Sequence, residues 1–157
     1  MKLIIKNGFR VGLAALLALT LAGCVPPVKK GEAGKSVIRT VEVKGISKKA
    51  LFARAGDWLA LAFVSAPDIL KNKDSDRGRY MGKAVNSAAI QSGLTTVFVN
   101  VDFNIIIDVK DGRARIILDN YYSYHPEAYA VTHDDMWKLA RNFEQHMKTG
   151  GKYTDDW

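Results

Sequence analysis

The chain has 157 residues, a formal net charge of +7, 48% hydrophobic residues and a single cysteine. That length supports one hydrophobic core and not two. One cysteine excludes an intramolecular disulfide, so the fold must be held by its core alone.

The chain opens on Lys2, Lys6 and Arg10, followed by an apolar run that reaches Ala22. A charged start, a short apolar stretch and small residues before a cut describe a secretory signal peptide. The run from Val11 to Val25 has 15 residues before Pro26-Pro27, short of the roughly 18 needed to span a bilayer. Leu21-Ala22-Gly23-Cys24 resembles the signal of bacterial lipoproteins, in which the cysteine becomes the acylated first residue. Residues 1–23 are therefore expected to be removed, and the net charge to fall from +7 to +4 with the loss of three cations. Acylation of Cys24, with palmitate among the attached chains, is favoured over a reactive thiol because no titratable neighbour activates it. Val25 stands where an Asp often signals inner-membrane retention in such lipoproteins; without that Asp the periplasmic side of the outer membrane is favoured in a host that has one.

Residues 24–36 have no helical or strand period and read as a flexible tether, with a reach of about 20 Å by flexible-chain scaling. Gly34-Lys35-Ser36 matches the end of a phosphate-binding loop. Lys29 stands where the pattern needs its first Gly, and an extended run follows in place of a helix, so nucleotide binding is rejected.

Residues 37–150 are expected to form one domain, with 151–157 as a tail. Residues 37–43 are β-branched and partly alternating, hence a strand. Lys44-Gly45 turns the chain, Ser47 caps a helix, and Ile46 staples onto Leu51. Leu51, Phe52, Ala55, Trp58, Leu59, Ala62, Phe63 and Ala66 recur at helical spacing, and Pro67 is expected to end the helix. A short strand over 69–71, a turn over 72–78 and a strand over 79–86 follow, then a turn at Gln91-Ser92-Gly93. The turn at 72–78 lacks the Gly and Glu of a calcium loop, having Arg77 and Lys83 in those places.

From Val97 to Val109 every odd position is apolar and most even positions are polar. This is an antiparallel strand with one covered and one wet face. Asp111-Gly112 reads as a type I′ hairpin turn, and residues 113–124 return. The two-residue loop sets Lys110 opposite Arg113, Val109 opposite Ala114, Asp108 opposite Arg115, Ile107 opposite Ile116 and Ile105 opposite Leu118. Thr132 is expected to cap a last helix with Asp134 and Asp135 in its first turn, and Val131 to staple onto Met136. Met136, Leu139, Ala140, Phe143 and Met147 form its apolar face, and Gly150-Gly151 ends it.

Two amphipathic helices and an antiparallel sheet with one apolar face give an α+β two-layer sandwich, both helices on one face. The run from Val41 to Phe52, Trp58-Leu59-Ala60, Gly78, Gly82-Lys83 and the run from Ile106 to Arg113 together resemble the domain of unknown function 4468. The resemblance covers most of residues 40–148. It implies a TATA-binding-protein-like fold and an exported bacterial protein, and it brings no catalytic residues.

His125, His133 and His146 lack metal-ligand spacing, and no catalytic or Gly-rich phosphate motif is present. No cofactor and no metal are expected. Nucleic acid is not an expected partner: the open face carries Asp102, Asp108 and Asp119 among its cations, where DNA wants a basic surface. The expected partners are the membrane, through the N-terminal lipid, and another envelope protein or a small ligand. Contact is expected at Asn100, Asp102, Asn104, Arg115 and Tyr121 of the open face, with Tyr122 and Tyr124. The alternative is a hydrolase using His125 or His133 beside an acid.

Overall fold

The computed structural model describes residues 36–63 and 65–151; the signal segment, Cys24 and the tether to residue 35 lie outside them, as do residues 152–157. In chain order the elements are β1 (Val37–Glu42), α1 (Lys48–Ala62), α2 (Ala66–Ile69), β2 (Leu70–Asp74), β3 (Arg79–Ser92), β4 (Thr95–Lys110), β5 (Arg113–Asp119) and α3 (Pro126–Thr149). The strands form one sheet in the order β1-β5-β4-β3-β2, and each neighbouring pair is antiparallel. Both long helices pack on the same face, giving the expected two layers.

Alternation builds the core. Val101, Phe103, Ile105, Ile107 and Val109 of β4 are buried, as are Ala114, Ile116 and Leu118 of β5. Leu51, Ala55, Trp58 and Leu59 of α1 close over them with Met136, Ala140, Phe143 and Met147 of α3. The hairpin pairs in the register read from its sequence, including Asp108 opposite Arg115. Ser47 caps α1 by accepting from Ala50 N at 3.3 Å, and Ile46 packs against the core that holds Leu51.

Helix α3 is tied to both neighbours. Arg39 Nη2 meets Glu144 Oε2 at 2.5 Å from β1. Arg54 Nη1 of α1 donates to Met147 O at 2.8 Å, which satisfies a carbonyl in the last turn of α3. Gly150 then ends the helix with φ of 72°.

Six expectations are corrected. The strand expected to return over 113–124 ends at Asp119. Helix α1 stops at Ala62, not at Pro67: Phe63 takes an extended conformation, and Pro67 falls in the first turn of α2, where a proline needs no N–H partner. The strand placed at 69–71 runs to Asp74, so the turn is confined to residues 75–78. Strand β3 continues to Ser92, paired with β4 along its whole length. Asp111 has no positive φ, so the turn is not type I′. It is held from outside the hairpin: Asp111 Oδ1 accepts from Lys48 N at 2.6 Å, and Gly112 N donates to Ile46 O at 2.9 Å.

The sixth correction concerns α3, which begins at Pro126 rather than after Thr132. Proline pre-sets φ for the first helical position. Thr132 and Val131 are therefore interior to the helix, and neither caps nor staples it. Thr132 is buried and accepts from Asn86 Nδ2 at 3.3 Å.

Candidate functional site

The sheet face away from the helices is uncovered among the described residues, and its side chains form rows across the strands. Thr40, Arg115, Asp108, Arg79 and Asp74 make one row. Asp108 is its centre, accepting from Arg79 Nε at 2.5 Å and from Arg115 Nη2 at 2.7 Å. Partial burial works against its charge, but the two guanidinium groups outweigh that and hold the carboxyl below the usual carboxylate range. Ile38, Ile117, Ile106 and Met81 make the next row, and Asp119, Asn104 and Lys83 the one beyond. In that last row Asn104 Nδ2 donates to Asp119 Oδ1 at 2.9 Å.

Past Asp119 the sheet loses a strand. Asn120 adopts φ of 55°, in the left-handed region that Asn tolerates better than most residues. The chain turns away from β4, and pairing of β4 with β5 stops at Asn104. The diverted segment and the exposed part of β4 enclose a cleft of about 440 Å³, within the roughly 300–1,000 Å³ usual for small-molecule sites. Asn100, Asp102 and Asn104 line it from β4, Lys83 from β3, and Asn120, Tyr122, Ser123, Tyr124 and His125 from the diverted segment.

The side chains of Lys83, Asn100, Asp102 and Asn120 make no hydrogen bond or ion pair among the described residues. Tyr124 is 78% exposed. Its ring stands at 85° to that of Tyr122, with centroids 4.9 Å apart. Ser123 is buried and accepts from His125 N at 3.1 Å, which fixes the bend between the tyrosines and α3.

Five of the seven expected contact residues thus meet in one cleft: Asn100, Asp102, Asn104, Tyr122 and Tyr124. Arg115 does not line it, being engaged with Asp108 two rows away. Tyr121 is fully buried on the helix side rather than on the open face. The left-handed turn at Asn120 breaks the strand alternation and drives the next side chain inward.

Buried Tyr121 organises a second cluster. Its Oη lies 2.6 Å from His133 Nδ1, and its ring stacks on Tyr129. Trp137 Nε1 donates to His133 Nε2 at 3.2 Å. An indole N–H can only donate, so Nε2 accepts, and a neutral ring carries its proton on Nδ1, directed at Tyr121. Burial, with the neighbouring Tyr129, pushes the Tyr121 phenol up to about 12. Both nitrogens of His133 serve this packing, and neither is directed at a carboxylate. Of the histidines considered for hydrolysis, His125 alone lines the cleft.

Lys83 and Asn120 escaped the sequence reading. Lys83 reaches the cleft through its pairing with Asn104, which needs the β3–β4 register. Asn120 carried a local signal, an Asn directly after a strand.

Residues 38–123 match the family model described as "Domain of unknown function (DUF4468) with TBP-like fold". A DUF4468 family protein from Bacteroides ovatus has a similar fold, with a TM-score of 0.58 at 13% identity, covering 82% of this chain and 95% of that one. A TBP-like protein from Parabacteroides distasonis gives a TM-score of 0.48 at 13% identity, covering 68% of this chain and 92% of that one. None of the curated proteins compared matches the chain.

Proposed function

The chain belongs to the DUF4468 family, and from that premise we propose that it is an exported, lipid-anchored envelope protein whose domain is a non-catalytic binding module. The cleft beside β4 is its contact site. The carrying observation is the gathering of Asn100, Asp102, Lys83, Tyr122 and Tyr124 around one opening, with the polar side chains uncommitted. Polar groups without protein partners beside exposed tyrosines are what a ligand or partner surface needs.

The anchor reading is supported by the sequence. Leu21-Ala22-Gly23-Cys24 follows a basic start and an apolar stretch too short to span a bilayer. The acyl chains on Cys24 would hold the domain within a short tether of the membrane, on the periplasmic side of an outer membrane by the Val25 criterion. Against nucleic acid stand the acidic residues of the open face, where Asp108 shares its row with the arginines. Against the hydrolase stands the structural engagement of His133; His125 and Asp102 line the cleft without a hydrogen bond between them.

Photo-crosslinking in intact envelopes tests the contact site. A photoreactive residue at position 124 is expected to give a discrete adduct, whether protein or glycan. The same probe at position 77, on a turn whose side chain is 82% exposed, is expected to give none. No adduct from position 124, or equal yields from both positions, contradicts the reading.

A further inference from the structure

From the groups lining this cleft we infer that its ligand is a saccharide: a neutral, hydroxyl-rich ring held between β4 and the two tyrosines. The inference rests on the binding-module reading above and names the ligand class of the same site.

The cleft offers one carboxylate, Asp102, and one ammonium, Lys83, neither paired within the protein. An anionic ligand would sit against Asp102 and a cationic one against Lys83. A neutral ligand with hydroxyl groups satisfies both, since a hydroxyl donates to the carboxylate and accepts from the ammonium. The unpaired carboxamides of Asn100 and Asn120 extend the same logic. Each offers donors and an acceptor side by side, a match for neighbouring hydroxyls on a ring.

An apolar ligand is excluded by the same inventory. It would cover the ammonium, the carboxylate and the carboxamides without giving them partners, and unsatisfied buried polar groups oppose binding.

The spacing of the cleft residues fits the same ligand. Asn100 and Asp102 are two residues apart on one face of β4, a spacing of roughly 7 Å. That is about the span of one sugar ring with its substituents. The perpendicular rings of Tyr122 and Tyr124 offer a flat apolar surface and a hydroxyl edge at the mouth. A pyranose has the complementary pattern, one face of C–H groups and a rim of hydroxyls.

The test is a glycan array probed with the purified full chain, spanning peptidoglycan fragments, bacterial surface polysaccharides and plant and animal oligosaccharides, followed by titration of each hit. Binding to at least one glycan is expected, weakened about tenfold or more in Asp102→Ala and in Tyr124→Ala, since each removes a charged hydrogen-bond partner or a ring surface. Arg77→Ala, outside the cleft, is expected to bind as the parent does. Both cleft side chains are exposed, so the variants should unfold at the parent's temperature, which separates lost contact from lost fold. A silent array with a protein adduct from position 124 overturns the saccharide inference and keeps the binding module. A silent array with no adduct overturns both. Glycan binding that persists unchanged in the two cleft variants also overturns the assignment to this site.

Discussion

Replacing Gly78 by alanine is expected to lower the unfolding free energy by about 3 kcal/mol or more, the sum of a left-handed backbone cost and a collision that cannot relax. Gly78 ends the β2–β3 turn with φ of 70°, and its carbonyl accepts from Val109 N at 2.8 Å. A Cβ there would strike the backbone oxygen of Val109 and meet Val109 Cγ2 at 3.1 Å. A carbonyl within a paired strand has nowhere to move. Gly45 separates the two contributions: its φ is 80°, but nothing lies within 4 Å of a Cβ built on it. Gly45→Ala is therefore expected to cost only about 1–2 kcal/mol. Urea titration of both variants gives the comparison, provided the slope against denaturant is unchanged. Equal losses at the two positions would refute the steric part of the argument.

Trp58→Ala is expected to cost about 3–5 kcal/mol, the usual range for deleting a buried aromatic side chain. Trp58 is 1% exposed and sits where α1, α3 and the sheet meet. Its ring meets Phe143 edge-on at a centroid distance of 5.1 Å, and its Nε1 donates to Asn142 Oδ1 at 2.7 Å. Truncation loses the packing and leaves a polar partner stranded at the helix contact. Trp58→Phe keeps most of the ring and loses the hydrogen bond, so about 1–2 kcal/mol is expected. Thermal and urea unfolding check both values, and equal losses for Ala and Phe would show that packing is not the main contribution.

These two positions show what was readable in the chain. Trp58 announced itself through helical periodicity, because a helix with one buried face repeats its apolar residues at fixed spacing. The β4–β5 register was readable for a related reason: strict alternation and a two-residue turn admit one pairing. Gly78 was readable as the end of a turn, and Gly82 only as a residue shared with a family. The structure supplies the cause, since a Cβ on Gly82 would come within 2.7 Å of Ile69 O, another close backbone approach.

The misreadings have two origins, a tertiary contact overriding a local rule and a stronger local signal standing nearby. Thr132-His133-Asp134 has the chemistry of a helix start, but Pro126 begins the helix six residues earlier, and Thr132 and His133 then take partners from β3, Tyr121 and Trp137. Asp111-Gly112 has the chemistry of a type I′ turn, but contacts from Ile46 and Lys48 set its shape. Tyr121 follows the strand parity of β5 until Asn120 reverses it. The same reversal opens the cleft. Alternation could put Asn100, Asp102 and Asn104 on one face, but the tyrosines and His125 join them only through that turn.

Everything proposed about where this cleft operates depends on Cys24. Metabolic labelling with radioactive palmitate, followed by membrane fractionation, tests that dependence directly. The parent chain is expected to incorporate label and sediment with the outer membrane, and Cys24→Ser to incorporate none and lose its membrane attachment. Label in Cys24→Ser, or an unlabelled parent chain, would contradict the account of a lipid-anchored binding module.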